Sequence, residues 1–137
     1  MSNTGINVSH ISNFGKIIDP SLISDDPQIV SDYGGDWCKA FKRKPSLVLF
    51  PKTTQQVSSI LSYWHENKLC VVPSGGRTCL AGGATAQNHE IVLSLDKMNK
   101  IRNIDPVSLT VEVESGVTTQ ALQEAAKAHH LFFPLDL

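Results

Sequence analysis

The clearest alternation of elements begins at residue 46. Ser46-Leu47-Val48-Leu49-Phe50 is a continuous apolar run closed by Pro51, the pattern of a buried strand leaving a sheet. Thr53 and Gln56 then stand at capping-box spacing, and Val57, Ile60, Leu61 and Trp64 recur at i, i+3, i+4 and i+7. A helix with one apolar stripe is predicted there, up to about Lys68. Cys70-Val71-Val72-Pro73 predicts a second strand. Strand, helix and strand with short connections predict parallel strands joined by a right-handed crossover. Loops beyond the C-terminal ends of such strands commonly carry ligand sites.

Further along, Glu90–Leu95 and Lys100–Asp105 predict strands, the second turning at Asp105-Pro106. Leu109–Glu114 alternates Leu109, Val111 and Val113 against Thr110, Glu112 and Glu114, as a strand with one wet face does. A helix should follow Gly116, with Thr118 as cap, Val117 stapled to Leu122, and Leu122, Ala125, Ala126 and His129 on one face. Leu131-Phe132-Phe133-Pro134 predicts a return to strand. Ahead of all this, residues 1 to about 18 are rich in Ser, Asn and Gly with scattered Ile and Val and predict a loose or partly docked lead-in. A short helix is expected between Pro20 and Tyr33, before the break at Gly34-Gly35. There are no internal repeats, and the class is mixed α and β.

Composition narrows the function. At 137 residues and 41% hydrophobic, the chain is one domain able to bury its own core without disulfides or metal. Twelve Lys+Arg against 13 Asp+Glu argue against nucleic acid, which is held by clustered cations. The basic run Lys39–Lys44 is read as a solvated loop or helix end. Cys38, Cys70 and Cys79 are odd in number and widely spaced, with no C-x-x-C, which fits a reducing compartment. No run of about 18 apolar residues predicts a membrane span. The first thirty residues hold no Arg, no basic n-region and no apolar h-region, so a cytoplasmic location is expected.

One segment stands apart. Pro73-Ser74-Gly75-Gly76-Arg77-Thr78-Cys79-Leu80-Ala81-Gly82-Gly83-Ala84-Thr85 follows directly on a strand and holds four of the nine glycines. Paired glycines permit positive φ and close backbone approach, so successive N–H groups can converge on phosphate oxygens. Arg77 is placed to add a bidentate charge contact. Neither G-x-x-x-x-G-K-[ST] nor a helix-opening G-x-G-x-x-G is present, so a phosphate bound here is held in another architecture. A Gly-rich surface hairpin is the alternative.

A strand–helix–strand unit feeding this loop resembles the FAD-binding domain of the vanillyl-alcohol-oxidase superfamily, the PCMH-type fold, and most of all its FAD-linked D-2-hydroxyacid dehydrogenases. The resemblance extends to Asp36-Trp37, Leu49-Phe50-Pro51-Lys52-Thr53-Thr54 with Val57, Leu93 to Ile101, Val113-Glu114-Ser115-Gly116-Val117 and Pro134-Leu135-Asp136-Leu137, covering residues 36 to 137 in order. It implies an α+β fold: a small parallel subdomain over 36–89 and the start of an antiparallel one over 90–137, behind a lead-in over 1–35. It also implies that FAD lies non-covalently between the two. Ser74, Gly75, Gly76, Arg77, Thr78, Cys79, Leu80, Gly82, Gly83 and Ala84 would hold its pyrophosphate, Gly116 would make a tight turn beside it, and Pro134 and Leu135 would approach it.

The family's chemistry is oxidation of a 2-hydroxy acid, with electrons passed to a separate acceptor. Two departures stand out. Cys79 replaces a glycine common in relatives. The chain also stops at Leu137, where the family continues into a substrate domain, so a fragment without activity of its own is expected, with no catalytic residue named. A non-catalytic interaction module is the alternative, and a reductase of the same fold using NADPH is a weaker one. The histidines carry no metal spacing: His129 and His130 suit a helix C-terminus, and His10, His65 and His89 lack partners at ligand distance. Asp96, Asp105 and Asp136 are read as turn or strand-end residues, and Cys79 as an inert packing residue.

Overall fold

The computed structural model describes residues 6–135. Its largest unit is a four-stranded sheet in the order β1-β2-β4-β3, made of β1 (Ile23–Ser24), β2 (Leu47–Leu49), β3 (Val71–Ser74) and β4 (Ile91–Ser94). β2 and β3 both run parallel to β4, with Leu47 and Val71 each opposite Ile91, while β1 adds antiparallel to β2. β4 thus stands between the two parallel strands that α3 (Thr54–Asn67) connects in sequence. The expected division after residue 89 falls one element early, because β4 is a central strand of the parallel sheet.

Burial explains why these strands read as unbroken apolar runs. Leu47, Val48, Leu49, Ile91, Val92 and Leu93 are all buried, as strands covered on both faces are. α3 (Thr54–Asn67) lays Ile60 and Trp64 into the core, with Val57 partly buried beside them. Its start is capped as expected by Thr53 Oγ1, which accepts from the Gln56 amide at 3.2 Å. The reciprocal bond is displaced by one residue, since Gln56 Oε1 accepts from the Lys52 amide at 2.7 Å. Leu61 does not join the stripe; it is largely exposed.

From residue 6 on, the lead-in is docked rather than loose. Asn7 caps α1 (Val8–Ile17) by accepting from the His10 amide, and Phe14 is fully buried, edge-on to Tyr63 at 5.1 Å and to Trp64 at 6.2 Å. Tyr63 Oη also meets His10 Nδ1 at 2.8 Å and accepts from Asn13 Nδ2 at 3.1 Å, bonds that tie α1 to α3. Ile11, Phe14 and Ile18 hold helical spacing in the sequence, masked there by Ser, Asn and Gly. The helix expected between Pro20 and Tyr33 is split into a 3-10 turn (Pro20–Leu22), β1 and α2 (Pro27–Tyr33), the last capped by Asp26.

β5 (Ile101–Asp105) and β6 (Thr110–Val113) form a separate antiparallel hairpin. Asp105 makes its turn by accepting from the amides of Val107 and Ser108. α4 (Thr119–Ala128) follows, with Thr118 Oγ1 accepting from the Ala121 amide and Leu122 and Ala126 buried. His129 lies outside that apolar face and is exposed. Leu131–Pro134 is not a strand. The Leu131 amide donates to Ala126 and the His130 amide to Lys127, with His130 at φ 59, a Schellman closure that uses these residues to end α4. Asp136 and Leu137 lie outside the described residues.

Candidate functional site

β3 ends in Ser74, which is fully buried, and its carbonyl accepts from the Leu95 amide of the neighbouring chain segment at 3.0 Å. From there the loop opens into a cleft of about 760 Å³, inside the usual range for a small-molecule site. One wall is Gly75, Gly76, Arg77 and Thr78, and the other is Ser115, Gly116 and the first turn of α4, with Asp96 and Asn99 completing the lining. Helix-start amides lack intrahelical acceptors and carry the positive end of the helix dipole, so the α4 wall suits an anion.

The glycines divide into different tasks. A Cβ on Gly75 or Gly76 would meet nothing within 4 Å, and neither has a left-handed φ. The fold itself therefore does not require glycine at these two positions; they leave bare backbone facing the cleft. Gly82, at φ 81, is the conformational glycine, turning beneath the ring of Phe41. Gly116 is steric: a Cβ there would strike the Leu95 carbonyl and lie 2.9 Å from the Met98 oxygen. The bare backbone of Gly75 and Gly76, and the buried Ser74 Oγ without a hydrogen-bond partner, fit a polar ligand approaching the main chain.

Of the residues expected from sequence, the cleft brings together Gly75, Gly76, Arg77, Thr78 and Gly116, while Ser74, just before them in the chain, is fully buried. Cys79, Leu80, Gly82, Gly83 and Ala84 continue the loop away from it. Cys79 is exposed rather than packed, its Sγ accepting from the Ala81 amide at 3.3 Å. Pro134 and Leu135 are exposed, and Leu135 is tied to α4 through a bond from Gln123 Nε2 to its carbonyl. Arg77 is not a free cation: it pairs with Asp96 at 3.3 Å.

Sequence reasoning missed the loop's other anchor. Asp36 is buried, and its carboxylate accepts from the Cys38 amide at 3.0 Å, the Ala84 amide at 3.3 Å and Thr85 Oγ1 at 3.1 Å. Burial alone would raise its pKa; the bonds from Ala84, Cys38, Thr85 and Cys79 outweigh it and hold the carboxyl below the ordinary aspartate range. A charged Asp36 thus fixes the far end of the loop. Among the described residues no cluster of His, Cys, Asp or Glu could hold a metal, and no helix is long and apolar enough to cross a membrane.

Residues 45–137 match the family model described as "FAD binding domain". The chain belongs to this FAD-binding family. It is 36% identical over 126 residues to D-2-hydroxyglutarate dehydrogenase of Stutzerimonas stutzeri, covering 92% of this chain and 27% of that protein. To the D-2-hydroxyglutarate–pyruvate transhydrogenase of Saccharomyces cerevisiae it is 40% identical over 119 residues, covering 87% and 24%. A D-2-hydroxyglutarate dehydrogenase of Arabidopsis thaliana described as mitochondrial is 34% identical over 127 residues, covering 93% and 23%. The chain therefore spans about a quarter of the length of these relatives.

Solved structures carry the same architecture. 4-Ethylphenol oxidase from Gulosibacter chungangensis superimposes with TM-score 0.81 at 24% identity, covering 95% of this chain and 27% of that one. p-Cresol methylhydroxylase does so with TM-score 0.78 at 22% identity, covering 90% and 25%. The fold is the PCMH-type FAD-binding fold, and FAD is the cofactor of the family to which the chain belongs.

Proposed function

We propose that the chain is the cofactor-holding part of a flavin-dependent oxidoreductase that converts a D-2-hydroxy acid to the 2-oxo acid. The observation that carries this is the cleft between the Gly75-Gly76 backbone and the start of α4. In this reading the Ser74–Ala84 loop takes the FAD pyrophosphate, with the Gly75 and Gly76 main chain and the first turn of α4 nearest to it, and Gly116 lets α4 approach. Pro134 and Leu135 line a more distant part of the cofactor. When bound, FAD supplies the hydride acceptor. The chain's own residues bind and orient it non-covalently; none is assigned as catalytic base, and the chain alone turns over no substrate.

The names and the 36–40% identity of the hydroxyglutarate enzymes support the hydroxy-acid reading. The test is anaerobic mixing of the complete FAD-loaded protein with D-2-hydroxyglutarate and, separately, D-lactate. Bleaching of the flavin band near the end of titration by either acid is expected. Binding of FAD with no bleaching by any D-2-hydroxy acid would refute the substrate class. The cytoplasmic location is part of the same proposal, and imaging of the tagged complete protein decides it against the mitochondrial location of the Arabidopsis relative.

A further inference from the structure

Arg77 holds a left-handed backbone, φ 58, uncommon for a residue with a side chain. Three contacts surround its guanidinium. Nη1 donates to the Gly75 carbonyl at 3.0 Å, the group pairs with Asp96, and Cζ stands 4.3 Å from the centre of the Tyr33 ring. Tyr33 is the last residue of α2, and its ring is itself held edge-on by Phe50 at 4.9 Å, just past β2. Burial first, then a hydrogen bond to Asp96, raises the Tyr33 pKa, so its hydroxyl stays protonated beside that carboxylate.

We infer that Tyr33 and Asp96 are positioning residues for the cofactor loop: they clamp the Arg77 guanidinium and, through its bond to the Gly75 carbonyl, fix the turn that presents the Gly75-Gly76 backbone to the cleft. The inference rests on the FAD reading of that cleft. Because Asp96 already neutralises Arg77, the arginine acts through shape more than through charge. Only a planar guanidinium can stack on a ring while donating to a carboxylate and a carbonyl at once; a lysine ammonium cannot. Tyr33 also precedes residue 45, where the family match begins. Part of the cofactor site is thereby supplied from outside the matched domain.

The experiment is FAD titration of the complete protein, followed by flavin fluorescence, for Tyr33→Leu, Tyr33→Phe, Asp96→Asn, Arg77→Lys, Arg77→Ala and the double variant Tyr33→Leu/Arg77→Ala. Losing the ring should weaken FAD binding by about 2- to 30-fold, the span of a cation–π contact, and Tyr33→Phe should restore most of it. Arg77→Lys should bind as poorly as Arg77→Ala. Adding Tyr33→Leu to Arg77→Ala should cost nothing further, as expected for two residues acting on one interaction.

Wild-type affinity in Tyr33→Leu or Arg77→Lys, or full additivity in the double variant, overturns the clamp. Should Tyr33→Leu not fold, Asp96→Asn takes its place in the same cycle. Amide exchange at residues 75–78 of the FAD-free protein reads the clamp without cofactor: faster exchange in Arg77→Lys is expected, and unchanged exchange overturns it. Failure of the wild-type protein to bind FAD would instead sink the proposed function and leave this last measurement intact.

Discussion

Two glycine-to-alanine changes on the same cleft should have opposite effects. At Gly116 the added methyl meets the main chain of Leu95 and Met98, which cannot swing aside as a side chain would. Relief requires displacing the segment, which breaks the 2.8 Å bond from the Gly116 amide to the Met98 carbonyl. Overpacking of this kind costs about 1–3 kcal/mol and the lost bond about 1 kcal/mol, so a loss of about 2–4 kcal/mol is expected. At Gly76 the methyl meets nothing, and alanine tolerates its φ. There the only fold-level effect is reduced freedom of the unfolded chain, a gain of about 0.4–1 kcal/mol. The same methyl, however, stands where a bound phosphate would approach the backbone, and FAD affinity should fall by about tenfold or more, equivalent to about 1.4 kcal/mol. Equilibrium denaturation of the FAD-free protein and FAD titration separate the two effects. Wild-type FAD affinity in Gly76→Ala would refute the assignment of bare backbone to ligand contact, and wild-type stability in Gly116→Ala would refute the steric argument.

Asp36 has a lower pKa folded than unfolded, so its contribution to stability is complete above the ordinary aspartate value of about 4 and is lost as pH falls through the lower folded value. Protection of the Ala84 amide, measured relative to its intrinsic exchange rate at each pH, should fall over that acid range in the wild type and be low at all pH values in Asp36→Asn; protected Ala84 in the variant would remove Asp36 as the loop's anchor. Ile60→Ala should cost about 2–5 kcal/mol in denaturation, whereas Leu61→Ala, at a largely exposed position, should cost under about 1 kcal/mol. Phe14→Ala should cost about 3–5 kcal/mol because it removes the ring wedged against Tyr63 and Trp64; a negligible loss would mean that α1 is not docked.

Local patterns in the sequence were sufficient where the cause is local. The apolar run at Leu47–Leu49, the Thr53 and Thr118 caps and the Asp105 turn depend on neighbours within a few positions, and each appears where the pattern puts it. Leu61 shows the limit of periodicity. It lies at i+4 from Val57, yet Tyr63 takes the flank facing α1 and leaves Leu61 outside. The strand order was illegible for a related reason: β2 and β4 are buried along their length while β3 is a half-buried edge strand, and a hydrophobic run does not name its partner. Asp36 was hidden by distance, its Thr85 partner lying 49 positions away. The sequence marked this position only through the resemblance carried by Asp36-Trp37, which assigned Asp36 no role.

The two walls of the cleft come from different parts of the chain, yet both are referred to the end of one strand. Just past β4, the Leu95 amide holds the Ser74 carbonyl and so fixes the start of the glycine loop. Its carbonyl accepts from Met98 and is the atom against which Gly116 lies, and Met98 in turn accepts from the Gly116 amide, which fixes the start of α4. Asp96, between them, pairs with Arg77. A displacement of this segment would move loop and helix together, so the gap between them is set by short backbone contacts rather than by the distant packing of two subdomains. That is why a glycine with ordinary φ is needed at 116: any side chain there would separate the walls at the point where their spacing is defined.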